Sequence, residues 1–220
     1  DIVQVFREVW RILRDDGTVW LNLGDSYNGS GGAGGDYTEG GLKEGQPKYP
    51  GRHINNLKPK DLIGIPWMLA FALRADGWYL RQDIIWAKPN PMPESVKDRC
   101  TKSHEYIFLL SKSAKYYYDN EAIMDDAVTN LPIVKKSGGG RGSAILHNSD
   151  LGKDPYGSMG YSGGGGKRNK RDVWTVTTKP YKGAHYATFP PKLIEPCIKA
   201  GCPAGGIVFD PFVGSGTTVM

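Results

Sequence analysis

The hydrophobic positions of the chain follow first the spacing of a helix and then that of a buried strand. Apolar residues recur at helical intervals over residues 2–13, and charged residues occupy the opposite face. Asp15, Asp16 and Gly17 end this helix, and the apolar segment Thr18–Leu23 is predicted to be a buried strand. A helix that leads into a short apolar strand is the repeating unit of parallel α/β sheets, so this region predicts an α/β fold.

The same two patterns continue through most of the chain and predict one open sheet. A glycine-rich stretch over residues 29–56 interrupts them and is interpreted as a long surface loop. The proline-rich residues 88–93 can continue neither a helix nor a strand, so they are predicted to form a second loop. The other predicted elements are helices over residues 59–75 and 191–200, and strands over Tyr79–Ala87, over 105–110 with a short extension over 115–119, and from Ile207 onward.

Between residues 134 and 171 the composition changes to glycine runs and basic side chains. Glycine runs at 138–140 and 163–166 flank polar sequence, so this segment is interpreted as an insert on the sheet. It separates residues 1–133 from residues 172–220. A flexible linker and a segment that follows a nucleic-acid backbone both fit this composition. The basic residues that would contact phosphates are Lys135, Lys136, Arg141, Lys167, Arg168, Lys170 and Arg171.

Composition and charge narrow the classes to which the protein can belong. Its 220 residues, 39% of them hydrophobic, suffice for one domain with a sizeable core. The net charge of +5 suits a polyanionic partner, but a solvated basic surface explains it equally well. Three cysteines give no disulfide framework and indicate a reducing compartment, taken to be the cytoplasm. The sequence shows neither an apolar run of membrane-spanning length nor the spacing of a metal site.

The closing residues suggest a ligand site, because an apolar run there ends in an acid followed by a Gly-Ser-Gly turn. Glycines let the backbone approach a nucleotide-like ligand, and Asp210 can accept hydrogen bonds from ribose or amine groups. A phosphate-binding loop needs a lysine after its last glycine, but Thr217 follows Gly216. A dinucleotide fingerprint needs a third glycine where Val219 stands. The third candidate is S-adenosylmethionine, whose carboxylate and amino groups suit a tight turn after an acid.

Several segments, taken in order, resemble the amino-group DNA methyltransferases that act on cytosine N4 or adenine N6. Residues 210–218, Asp-Pro-Phe-Val-Gly-Ser-Gly-Thr-Thr, resemble the S-adenosylmethionine motif of this family, and residues 184–190 resemble the segment before it. Residues 16–27 are similar to the strand after the family's catalytic motif, and residues 84–91 and 104–107 are similar to the next two strands. This order is that of the permuted group, in which the catalytic half precedes the cofactor half.

The resemblance, which covers nearly the whole chain, implies a particular fold. This is the Rossmann-like methyltransferase fold, with an open, mostly parallel sheet, helices on both faces and a loop-rich DNA-recognition insert. The resemblance also implies a permuted and incomplete domain, because the family's catalytic Pro-Pro-aromatic motif is expected upstream of Asp1. The fragment alone is therefore expected to be inactive.

The resemblance also assigns roles to individual residues. Asp25, which follows a predicted strand, is expected to help shape the catalytic site. Lys88 and Asn90, in the proline-rich loop, are expected to contact DNA near the target base. The residues implied to hold S-adenosylmethionine are Asp210, Pro211, Phe212, Gly214, Ser215, Gly216 and Thr217, with His185, Thr188 and Phe189 in the same pocket.

The activity implied by the resemblance is site-specific methylation of an exocyclic amine in double-stranded DNA, in a restriction-modification system or a phage. Cytosine N4 is preferred over adenine N6 as the target. Two alternatives stay open at this point: a relative that binds DNA without methylating it, and a methyltransferase of RNA or of a small molecule. The basic insert favours a nucleic acid over a small molecule.

Overall fold

A mixed sheet with helices on both faces forms the framework of the protein. The computed structural model describes residues 2–29, 54, 56–126, 166–178 and 188–219. Its helices are α1 (Ile2–Ile12), α2 (Ile65–Ala75) and α3 (Pro191–Gly201), with 3-10 turns at Glu121–Ile123 and Thr217–Val219. Its strands are β1 (Thr18–Leu23), β2 (Tyr79–Ala87), β3 (His104–Ser111), β4 (Asp125–Asp126), β5 (Lys167–Arg168) and β6 (Val173–Thr175). Among these described helices, none is long and apolar enough to cross a membrane.

The strand directions differ from those expected. The four-stranded sheet has the order β1-β3-β2-β6, in which β1 and β2 each pair antiparallel with β3 and only β6 pairs parallel, with β2. The prediction of a mostly parallel sheet is therefore wrong for the described strands. The cause is the connection between β2 and β3. A parallel neighbour needs a crossover to the other end of the sheet, usually a helix, whereas residues 88–103 contain no helix and return to the end of β2, where the N–H of Lys88 donates to the backbone oxygen of Ser103.

Two apolar layers cover the two faces of this sheet, so the prediction of helices on both faces is confirmed. On one face, α1 and α2 pack over β3 in a cluster that includes Leu73 and Phe108. On the other face, α3 packs in a cluster that includes Leu193 and Ile107. Ile107 and Phe108 are consecutive in β3, so their side chains point to opposite faces. The central strand is thus covered on both sides, which explains its continuous apolar sequence.

Helix α2 begins at Ile65, six residues later than the predicted start at residue 59. Gly64 has a φ of 79°, in the left-handed region, so the helix cannot continue upstream through it. The carboxylate of Asp25 accepts hydrogen bonds from the backbone N–H groups of Gly64 and Ile65. A residue distant in sequence therefore fixes the start of the helix, which local periodicity does not reveal.

Two predicted strands do not form in the described structure. Residues 115–119 have no strand geometry, and neither does the apolar segment that begins at Ile207. The side chain of Ile207 is 94% exposed, and Val208 and Phe209 are exposed as well. A strand needs a hydrogen-bonding neighbour, and none of the described strands pairs with this segment. The prediction of a buried strand from Ile207 is therefore wrong.

The buried thiol of Cys197 supplies a test of the packing of α3. All three cysteines are free, and burial raises the pKa of Cys197 to about 12, whereas Cys100 is exposed. Because only thiolates react readily with disulfide reagents, Cys100 is expected to react at pH 8 in the folded protein and Cys197 only after unfolding. Counting reactive thiols before and after adding denaturant measures this. Equal reaction rates for Cys100 and Cys197 in the folded state would contradict the packing described here.

Candidate functional site

Two of the charged residues singled out by the sequence analysis, Asp25 and Lys88, lie at one end of the strands of the sheet. β1 and β2 run in the same direction on either side of β3, so their carboxyl ends meet at the edge where β3 begins. Ala87, the last residue of β2, pairs with His104, and Leu23, the last residue of β1, pairs with Tyr106. Ligands of open α/β folds bind outside the carboxyl ends of parallel strands. This end of the sheet, at the carboxyl ends of β1 and β2, is therefore the candidate site.

Asp25 holds the end of β1 against the start of α2. Its carboxylate accepts hydrogen bonds from the backbone N–H of Ser26 at 2.8 Å, of Gly64 at 2.9 Å and of Ile65 at 3.1 Å. These donors lie at or beside the N-terminus of α2, where a negative charge is stabilised. Asp25 thus shapes this edge through backbone contacts. Its predicted support of catalysis stays a prediction.

A partly buried ionic network surrounds Asp25 and includes two residues that the sequence analysis missed. Glu105, at the start of β3, forms an ion pair with Lys88, whose ammonium group lies 4.3 Å from the ring centre of Trp86. Lys102 donates a hydrogen bond to the backbone oxygen of Asp25 at 2.6 Å. Burial lowers the pKa of Lys102, which the carboxylates of Asp25 and Glu105 partly counteract. Lys88 is therefore held within the network, and its predicted DNA contact stays a prediction.

Asn28 is a further residue that sequence analysis missed, and it fastens the base of the loop after β1. It is only 3% exposed. Its side-chain amide donates to the backbone oxygens of Leu57 at 2.8 Å and Lys58 at 3.2 Å, and its side-chain oxygen accepts from the backbone N–H of Ile54 at 2.7 Å. Its own N–H donates to the oxygen of Asp61. An asparagine in a polar loop carries no sequence signal for this role.

Residues 210–218, which we call the closing turn, have the tight geometry that the sequence predicts. Gly214 and Gly216 have φ values of 50° and 81°, which favour glycine. One carboxylate oxygen of Asp210 accepts from the N–H of Phe212 at 2.9 Å, and the other accepts from the hydroxyl of Thr218 at 2.6 Å. A carboxylate has about four acceptor positions, so Asp210 retains capacity for a ligand. The turn therefore presents an acid together with backbone that has no side chain at two positions.

The other residues predicted for the cofactor lie close to α3 or outside the described residues. Phe189 packs against the apolar cluster under α3, and Thr188 precedes it. The 3-10 turn that begins at the buried Thr217 contacts α3. Helix α3 therefore links these two parts of the predicted pocket. His185 lies outside the described residues, and Pro211 and Ser215 are in the closing turn.

The described part of the basic segment forms a short ladder, which we call the neck. In it, Asp125 and Asp126 of β4 pair antiparallel with Arg168 and Lys167 of β5. Lys170 forms an ion pair with Asp125 at 3.1 Å. Burial opposes ionisation of Asp125, but the hydrogen bond and charge of Lys170, together with the N–H of Arg171 and the charge of Arg168, hold the pKa of Asp125 below its usual value. The predicted contacts Lys135, Lys136 and Arg141 lie outside the described residues.

The basic side chains of the neck differ in whether they form an ion pair. Lys170 is neutralised by Asp125, whereas the exposed side chains of Lys167 and Arg171 form no ion pair with a carboxylate of the described residues. A cavity of about 310 Å³ lies beside the neck, lined by Arg81, Tyr116 and other polar side chains. It is formed by the first half of β2 and the segment after β3, away from the strand ends that carry Asp25 and Lys88. No group of His, Cys, Asp and Glu in the described ranges could hold a metal ion.

Comparisons with known proteins agree on one group of enzymes. A family model described as DNA methylase matches residues 1–220. The type II methyltransferase M.Cfr9I of Citrobacter freundii is 48% identical over 98% of the chain and 60% of its own length. M.SmaI of Serratia marcescens is 48% identical over 99% of the chain and 63% of its own length, and M.XycI of Xanthomonas campestris pv. cyanopsidis is 46% identical over 98% and 60%. The chain thus spans about three fifths of the length of these relatives.

Proposed function

Because the chain belongs to the N6/N4 DNA methylase family, we propose that the protein transfers a methyl group from S-adenosylmethionine to an exocyclic amine of a base in double-stranded DNA. Cytosine N4 is the preferred target and adenine N6 the second candidate. The observation that carries this proposal is the closing turn, an acid followed by two glycines of positive φ, within a chain that matches the family over residues 1–220.

The residues of the closing turn fit the polar end of S-adenosylmethionine. The free acceptor positions of Asp210 can receive hydrogen bonds from an ammonium or a ribose hydroxyl group. Gly214 and Gly216 let the ligand approach the backbone, and the ring of Phe212, 59% exposed, offers apolar contact. When bound, this cofactor supplies a methyl group on a sulfonium sulfur, which is reactive toward amines. The turn's part is to bind and orient it.

The charged groups of the chain support double-stranded DNA as the substrate. An exocyclic amine must leave the base stack before it can react, which costs a few kcal/mol. Contacts to the phosphate backbone hold the duplex while this happens. Exposed and without an ion-pair partner in the described ranges, Lys167 and Arg171 are suited to such contacts. Positioning and electrostatics would supply most of the rate enhancement at the strand ends near Asp25.

A methyl-transfer assay with the intact protein tests this proposal. Duplex DNA is incubated with S-adenosylmethionine labelled on its methyl group and then digested to nucleosides for mass spectrometry. The expected product is N4-methylcytosine, and only duplexes that contain the recognition sequence are expected to yield it. N6-methyladenine would keep the enzyme class and change the target base. Label in RNA but not in DNA, or salt-sensitive DNA binding without any transfer, would favour the two alternative functions instead.

A further inference from the structure

The proline-rich loop interrupts the pairing of β2 with β6 at a defined point. The parallel ladder continues up to Ala87, which pairs with Thr175 and whose backbone oxygen accepts from the N–H of Val176 at 3.1 Å. Beyond this point, Pro89 and Pro91 have no N–H to donate. The backbone of the loop therefore cannot hold the chain that follows β6 by continuing the ladder.

The side chain of Asn90 replaces the missing backbone pairing. Its amide nitrogen donates to the backbone oxygen of Thr178 at 3.1 Å, and its amide oxygen accepts from the backbone N–H of Thr178 at 3.0 Å. A carboxamide presents one donor and one acceptor in a plane, as a peptide group does. The indole N–H of Trp86 holds the neighbouring backbone oxygen, that of Val176, at 2.7 Å. Side chains of β2 and its loop thus extend the ladder through residue 178.

We propose that Asn90 is a positioning residue for the cofactor site, which it serves by fixing Thr178 to the proline-rich loop. This inference rests on the proposed function. Val176, two residues before Thr178, packs against the same apolar cluster as Phe189 and Leu193 of α3. Phe189 leads into α3, and α3 contacts the turn at Thr217. An error in the position of Thr178 would shift Val176 in this cluster and, through α3, reach the predicted cofactor residues.

This role differs from the DNA contact that the resemblance implies for Asn90. Both polar groups of the Asn90 amide already bond to Thr178, so contacting a base with the same atoms would require them to leave Thr178. The two roles predict different losses when the amide is removed. A positioning residue affects the affinity for S-adenosylmethionine, whereas a phosphate or base contact affects the affinity for DNA.

Variants of Asn90 in the intact protein distinguish these roles. Asn90→Ala is expected to raise the Kd and the KM for S-adenosylmethionine about tenfold, the scale of one or two lost hydrogen bonds. Asn90→Asp keeps an acceptor for the N–H of Thr178 but sets a carboxylate against its backbone oxygen, so we expect a loss at least as large. In Asn90→Ala, which changes no charge, the Kd for duplex DNA, measured without cofactor, is expected to stay within about twofold of the wild-type value.

Thr178→Val is the matched control. It replaces the hydroxyl group of Thr178, which donates to the backbone oxygen of Asn90 at 3.4 Å, by a methyl group and leaves both amide contacts in place. Cofactor affinity is expected to be unchanged in this variant. Thermal melting of each variant checks that the fold is intact. If Asn90→Ala fails to fold, Asn90→Gln, which keeps both polar groups but displaces them, is measured instead and is expected to weaken cofactor binding.

Two results would overturn the inference while leaving the proposed function in place. One is wild-type affinity for S-adenosylmethionine in folded Asn90→Ala or Asn90→Gln protein. The other is a loss confined to DNA affinity, with a shallower salt dependence, which would make Asn90 a DNA contact. If the wild-type protein itself neither binds S-adenosylmethionine nor methylates DNA, the proposed function fails instead.

Discussion

Gly216→Asp is expected to leave the protein without measurable affinity for S-adenosylmethionine, a loss of about a hundredfold or more. Gly216 has a φ of 81°, a conformation that residues with a side chain adopt at a cost of about 1–2 kcal/mol. The substitution also brings a second carboxylate to the turn that already holds Asp210, which would repel the carboxylate of the cofactor. Isothermal titration calorimetry with the intact protein measures the loss.

Two controls separate the effect on the ligand from the effect on the backbone. Gly205→Asp places the same side chain at a φ of 79°, with no atom near its Cβ and outside the closing turn, so it is expected to keep cofactor affinity. Gly216→Ala adds only a Cβ, whose nearest neighbour would be a methyl group of Val219 at 3.5 Å. It is expected to show a smaller loss. Equal cofactor affinity in Gly216→Asp and the wild-type protein would contradict the proposed placement.

Asn28→Ala is expected to lower the free energy of unfolding by about 2–4 kcal/mol, because it leaves several buried backbone groups without partners. The side chain of Asn28 contacts the backbone of Ile54, Leu57 and Lys58, all on the far side of the long loop after β1. Water cannot replace these bonds where the side chain is 3% exposed. Urea denaturation followed by circular dichroism measures the change.

Asn22→Ala is the control for this prediction. Within the described ranges, the side chain of Asn22 makes one hydrogen bond, to the backbone oxygen of Tyr106 at 3.0 Å, so its loss is expected to cost about 1 kcal/mol. The ratio of the two losses in unfolding free energy indicates how many buried backbone groups Asn28 supplies with a hydrogen-bond partner. If both variants lose the same stability, Asn28 does not organise the base of the loop.

The sequence predicted the elements whose signal is local. The bounds of β1 and β2 agree with the prediction at every residue, and α1, α3 and β3 agree within one residue at each end. These segments are helical repeats or short apolar runs, and in all of them except β3 a glycine, proline or acid lies just beyond an end. α2 was placed six residues too early because Asp25, forty residues away along the chain, sets its start.

Features that depend on distant partners could not be predicted in this way. An apolar run such as the one at Ile207 is a strand only if another strand bonds to it, and the two-residue ladder of the neck has no periodicity to detect. The direction of β3 relative to β2 depends on the path of residues 88–103, which connect the two strands. The network of Lys102 and Glu105 and the contacts of Asn28 appear only when the strand ends are brought together. The motif resemblance, in contrast, identifies the family from short segments in order. The family model and the relatives that match the chain confirm that it belongs to this family.

Calorimetric titration of the intact protein with S-adenosylmethionine, and separately with ATP and with NAD, tests the central claim most directly. The claim is that the acid and glycines of residues 210–216 hold a sulfonium methyl donor. We expect saturable heat with S-adenosylmethionine and none with the two nucleotides. Clear binding of ATP or NAD, with no heat from S-adenosylmethionine, would contradict the account.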